Sequence, residues 1–151
     1  MEYLNDKGDV VSDNYYEGVL QLRNPTQELI HFVRELVHKR GRVFIAKEEK
    51  VNNGIDMYLS SQKFLQIIGK QLLNKFKGEM MITRRLHTVK RITSKFVWRV
   101  TVLFRLPKFK VGDVVRAGRR EIRVKNMGKK VFGVDIETGK KVSVNYGDIQ
   151  S

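Results

Sequence analysis

The chain of 151 residues has no cysteine. That excludes disulfides, thiolate nucleophiles and cysteine-bound zinc, and it suits a reducing compartment. No apolar run approaches ~18 residues, so no segment reads as a membrane-spanning helix. The opening Met1-Glu2-Tyr3-Leu4-Asn5-Asp6 is acidic and polar, which does not suit a signal peptide. Glycine-rich phosphate loops, a nucleophile elbow and zinc-ligand spacings are also missing. His31 and His38 would lie about 10 Å apart along a helix, farther than the one-turn spacing that a shared metal asks for. Asp135 and Glu137 flank Ile136, but the adjoining Thr138-Gly139-Lys140 marks a hairpin turn rather than an acid–base pair. No internal repeat or low-complexity tract is evident. The expectation is a cytoplasmic protein that is not an enzyme, with no cofactor, no metal site and no membrane partner.

Carboxylates are scarce in one part of the chain only. Residues 1–60 carry 8 Lys/Arg and 10 Asp/Glu, a net of −2, whereas residues 61–151 carry 22 and 6, a net of +16. Charge of one sign at that density repels itself and costs stability. A field of this sign attracts polyanions, and the usual polyanion for a soluble chain is nucleic acid. The 41% hydrophobic content is enough to fill a core.

Residues 1–13 read as a frayed polar lead-in. Residues 15–23 alternate as a half-buried strand, and Asn24-Pro25-Thr26 ends it, with Thr26 placed to cap a helix. Leu29, Phe32, Val33, Leu36 and Val37 form that helix's apolar stripe. Residues 42–49 and 54–59 read as strands around an Asn52-Asn53-Gly54 turn. Ser60 or Ser61 then caps a second helix with a stripe of Phe64, Leu65, Ile68, Leu72 and Phe76. Two long strands follow, about 79–89 and 95–106. In the second, Phe96, Trp98, Val100, Val102, Phe104 and Leu106 share one face, read as core. Arg99, Thr101 and Arg105 share the other, with Arg85 and His87 beside them.

The order β-α-β-β-α-β-β predicts an α+β fold, a two-layer ferredoxin-like α/β sandwich over 14–106. After Pro107 the pattern changes to short β-prone pieces separated by glycine turns. These predict a small SH3-like β-barrel over 108–150.

The candidate RNA-binding residues are basic. Arg84, Arg85, Lys90, Arg91, Lys95, Arg99 and Arg105 lie on or between the two long strands. Lys108 and Lys110 lie in the linker. Arg116, Arg119, Arg120, Arg123 and Lys125 crowd the first barrel hairpin, with Arg119 and Arg123 expected on one face and Arg120 at the tip. Lys129 and Lys130 occupy a later turn, as do Lys140 and Lys141. Such side chains neutralise phosphates and release counterions. The candidate stacking aromatics, Tyr15, Tyr58 and Phe132, are a weaker signal, so backbone and shape recognition is expected over base readout.

Three segments in order carry a family resemblance: YYEGVLQLR over 15–23, VNNGIDMYLSS over 51–61, and VTVLFRLP over 100–107 running into FKVGDVV over 109–115. Together they resemble an archaeal-type member of the Nmd-three family of large-ribosomal-subunit adaptors, across about residues 15–145. The resemblance implies binding to the large subunit during its maturation and, in eukaryotic members, adapting it for nuclear export. It also implies an arrangement similar to the hypusine-bearing translation factor, with an SH3-like barrel. The Cys-rich zinc module with which members usually start has no counterpart here.

The expected function is therefore non-enzymatic binding of the large ribosomal subunit, through rRNA and with ribosomal proteins as further partners, by a chain that is a monomer off the ribosome. The alternative is a transcription-processivity-type factor, which shares the α/β-plus-barrel layout and binds RNA polymerase and nucleic acid. That factor's barrel typically has a glycine-rich first turn, and Ala117-Gly118-Arg119-Arg120 matches it poorly.

Overall fold

The computed structural model describes residues 2–90 and 95–150, with side chains described throughout these except at 88–90 and 95–97. The fold is α+β, with two helices and three sheets among the described residues.

Strand β1 (Tyr3–Leu4) pairs antiparallel with β2 (Val10–Val11). The expectation of a frayed lead-in is corrected here. Asn5 closes the loop, its Oδ1 accepting from the Lys7 and Asp9 amides at 3.0 and 2.9 Å. The Tyr3 ring meets Phe44 edge-on at 4.8 Å. The turn orders, and the ring contact anchors, a segment whose composition alone looks solvated.

Strand β3 (Gly18–Arg23) leads to helix α1 (Gln27–Arg40). Thr26 caps α1 by accepting from the Leu29 amide at 3.1 Å. His38, Lys39 and Arg40 then oppose the helix dipole in the last turn. β4 (Ile45–Val51) and β5 (Gly54–Leu59) form a hairpin. A Cβ on Gly54 would sit 1.8 Å from the Leu22 carbonyl oxygen, so only glycine lets β5 approach β3 there. Helix α2 (Gln62–Phe76) is capped by Ser61, whose Oγ accepts from the Phe64 amide and donates to Asp6. Glu17 adds a second carboxylate at this N-terminus, accepting from the Gln62 amide at 2.9 Å. It also accepts from the Tyr15 hydroxyl. Burial and that bond push the Tyr15 hydroxyl up to about 12. Ser60, the other candidate cap, accepts instead from the Phe44 amide at 2.9 Å.

β6 (Glu79–Lys90) and β7 (Lys95–Arg105) complete a sheet of order β4-β5-β3-β7-β6. A ferredoxin-like sheet sets its fourth strand beside the first. Here the fifth strand, β7, takes that place parallel to β3, and β6 moves to the edge. The reason is burial. Val100, Val102 and Phe104 of β7 are fully buried, which suits a central strand, whereas β6 carries Met81 and Ile82 at 52% and 40% exposure.

Both helices cover one face, where Leu20, Leu22, Met57 and Leu59 join the β7 residues in a single core with Leu29, Val33, Leu65, Ile68 and Leu72. Trp98 is on the expected face but 46% exposed. Gly18, the first residue of β3, pairs with Val100, so β7 before Val100 extends past its central neighbour. The core reading of Trp98 is thereby corrected; Phe96 lies outside the described side chains. Phe104 is the largest fully buried side chain. Phe104→Ala is expected to destabilise the fold by about 3–5 kcal/mol, measured as a lower urea midpoint.

The remaining strands are β8 (Val114–Ala117), β9 (Arg120–Met127), β10 (Val131–Asp135), β11 (Lys141–Val144) and β12 (Ile149–Gln150). They form one antiparallel sheet of order β11-β10-β9-β8-β12 around a separate core of Val115, Ala117, Ile122, Val124, Met127 and Val131. Among the described residues β11 and β12 do not pair, so the sheet is not a closed barrel.

Candidate nucleic-acid interface

The second sheet buries alternate residues of β9, and its outward positions hold Glu121, Arg123 and Lys125. The β8–β9 hairpin turns through Gly118 and Arg119, with Gly118 at a φ of 64°. Glycine at the first position of a two-residue turn suits the strand twist. Arg120 is therefore not at the tip: it pairs with Ala117 as the first residue of β9, and Gly118-Arg119 forms the tip. Arg116, Arg119, Arg120, Lys125, Lys129 and Lys130 are all exposed, and among the described residues none makes an ion pair. Arg123 donates to the Gly112 carbonyl at 3.1 Å, which fixes its guanidinium beside the β8–β9 hairpin. Lys108 and Lys110 are exposed in the connection, where the Lys110 amide is held by Asp113.

The cations of the first sheet are more engaged. Its uncovered face sets Arg85 opposite Arg99, with Arg105 farther along β7. Arg99 is half-buried: its guanidinium stacks 4.0 Å from the Tyr16 ring centroid and donates to the Tyr16 hydroxyl at 2.8 Å. Arg105 lies 3.9 Å from Glu79. Arg84 points to the helix side and donates to Gln66 at 3.3 Å. His87 sits at an irregularity between Leu86 and Thr88. Lys90 and Lys95 pair at the hairpin end; their side chains, and all of Arg91, lie outside the described residues. A cleft of about 930 Å³ between the two sheets brings Arg105, Lys108 and Arg116 together with Arg23.

Two candidates of the second sheet lie on neighbouring strands. Lys141 opens β11 and pairs with Val134, which also pairs with Arg123. Phe132, a weak stacking candidate by sequence, is 44% exposed on the same face. Tyr58 lies in the first sheet, under Lys47 at 5.1 Å and against Tyr16 at 5.0 Å. Tyr15 is held by Glu17. His31 and His38 are exposed on α1. No group of three or more His, Asp or Glu is placed to hold a metal among the described residues. Asp135 is buried and accepts from the Glu137 and Thr138 amides, fixing the turn. Among the described residues no helix is long and apolar enough to cross a membrane.

The stretch 54–61 that carries the resemblance most strongly is architectural. Gly54 admits β3, Asp56 pairs with Arg23 at 2.8 Å, Tyr58 meets Tyr16, Ser60 ties down Phe44, and Ser61 caps α2. No curated protein is matched by the chain. A protein-family model described as NMD3, second domain, matches residues 15–106, the whole of the first sheet with its two helices. That match spans more than half of the sequence, and the chain belongs to the NMD3 family.

Proposed function

We propose that this chain is a non-enzymatic factor, an archaeal-type family member, that binds the large ribosomal subunit during its maturation. The contact is to rRNA through the basic second half. Membership of the NMD3 family supports a ribosome-related adaptor role. The observation that carries the rRNA contact is the second sheet, where exposed Arg116, Arg119, Arg120, Lys125, Lys129 and Lys130 have no ion-pair partner among the described residues. Cations left unneutralised by the fold remain available to phosphates. The carrying test is sedimentation of cell extract through a sucrose gradient at low salt. Comigration with large subunits is expected. Recovery at the top of the gradient, or with RNA polymerase, overturns the proposal. Interactions made through a zinc module lie outside it, since the chain has no cysteine.

Residues 14–106 and 108–150 are proposed as separate units, the first a variant of the ferredoxin-like sandwich and the second an SH3-like barrel left partly open. The two distinct cores support this division. A fragment of residues 1–106 is expected to fold alone, giving a dispersed NMR spectrum. An undispersed spectrum places the boundary elsewhere.

A further inference from the structure

The outer face of the second sheet carries an apolar stripe along its middle. On β10, Val131, Gly133 and Asp135 turn inward, and Phe132 and Val134 turn outward. Ile136 continues the stripe just past the strand, held by its amide to the Glu121 carbonyl at 3.0 Å. Phe132 and Ile136 are 44% and 47% exposed. A phenylalanine left nearly half exposed on an outer sheet face has ring surface to offer a ligand.

Cations flank the stripe on both neighbouring strands. Arg123 of β9 and Lys141 of β11 both pair with Val134. A register shift at Phe132/Gly133 sets both Lys125 and Asn126 across from Phe132, the two-against-one arrangement of a bulge. A Cβ on Gly133 would lie 2.4 Å from the Arg123 carbonyl oxygen, so glycine is what allows the close approach that aligns these neighbours. Glu121 is the one carboxylate on this face of β8–β11 among the described residues; it lies between Arg116 of β8 and Ile136, at the end of the stripe away from Phe132.

We infer that this face holds an unpaired stretch of RNA, with a base stacked on Phe132 and the adjoining phosphates on Arg123, Lys125 and Lys141. The inference rests on the rRNA-binding reading and adds to it the class of RNA bound. An apolar ring framed by cations is the arrangement by which sheets bind single strands, since every base has a π-face. In a duplex the base faces are already stacked on each other, and the A-form major groove excludes side chains. Strands about 4.8 Å apart put the backbones of Arg123 and Lys141 about 10 Å from each other across β10; the Arg123 guanidinium, which donates to the Gly112 carbonyl, lies toward β8, so the two cations would meet different phosphates of one strand.

The test uses the full chain, an unstructured oligoribonucleotide carrying one 2-aminopurine, and the same strand annealed to its complement. The single strand is expected to bind more tightly than the duplex and to lose 2-aminopurine fluorescence on binding. Phe132→Ala should weaken single-strand binding by about 5- to 150-fold, leave duplex binding unchanged and leave the thermal unfolding transition in place. Phe132→Trp should retain binding. If Phe132→Ala binds the single strand as tightly as the parent, the inference is overturned; cosedimentation with large subunits would show that the wider reading survives. If Phe132→Ala loses subunit binding but keeps oligonucleotide binding, the stripe meets a ribosomal protein and the inference is again overturned. If neither RNA binds, the inference is overturned, and cosedimentation with large subunits decides the wider reading.

Discussion

Raising the salt from 50 to 200 mM is expected to weaken binding to large-subunit RNA by about 10³–10⁵-fold, for a contact that neutralises about six to ten phosphates. The second sheet and the connection before it supply that many cations. Lys108, Lys110, Arg116, Arg119, Arg120, Lys125, Lys129 and Lys130 are exposed, and among the described residues none makes an ion pair. Each phosphate they meet sheds condensed counterions, and the entropy of that release shrinks as bulk salt rises. A protein-to-protein contact of mixed polarity has no comparable gradient. The measurement is a filter-binding or anisotropy series against purified large-subunit rRNA, plotted as log affinity against log salt. A flat line would remove the electrostatic contact and point to a ribosomal protein as the partner.

The elements in which hydrophobic period agrees with burial were legible from the residues. Leu29, Val33 and Val37 fix α1, Thr26 its start, and the alternation of Val100, Val102 and Phe104 fixes β7. What the pattern does not contain is which strand neighbours which. The parallel pairing of β3 with β7 joins residues about 80 positions apart in sequence, and local alternation is the same whether β7 is central or at the edge. Alternation also names the face of Trp98 without saying whether anything covers it there.

The candidate site divides in the same way. The charge surplus is a matter of counting. Which cations are free is not, because the partners of Arg99, Arg84 and Arg105 are Tyr16, Gln66 and Glu79, all brought in by the fold. The alignment of Arg123, Val134 and Lys141 depends on a bulge and a strand pairing that no local signal marks. The N-terminal hairpin was missed for a related reason. Its Asx-type turn at Asn5 is local, but the contact of Asp6 with Ser61 spans 55 positions.

Replacing Arg119, Arg120 and Arg123 together by glutamine is expected to reduce the log–log salt slope by about 2.7. Extrapolated from 1 M salt, it weakens binding at 50 mM by about 3 × 10³-fold, if each meets one phosphate. The three sit on one protruding hairpin: Arg119 at the tip, Arg120 opening β9, and Arg123 on the outward face. All three are exposed, and only Arg123 has a bond to lose, to the Gly112 carbonyl. Exposed substitutions of this kind change stability by about 0.5 kcal/mol or less each, so the triple variant should keep its circular dichroism spectrum and its unfolding midpoint. Glutamine preserves length and polarity, which isolates the charge. Substituting Lys63, Lys70 and Lys75 on α2 by glutamine removes the same net charge away from the second sheet, and it should leave the slope nearly unchanged. Equal losses from both triple variants would mean that only the overall field matters. A folded hairpin variant with undiminished subunit binding would move the contact to the β6–β7 hairpin, where Arg85 is exposed and without an ion pair among the described residues.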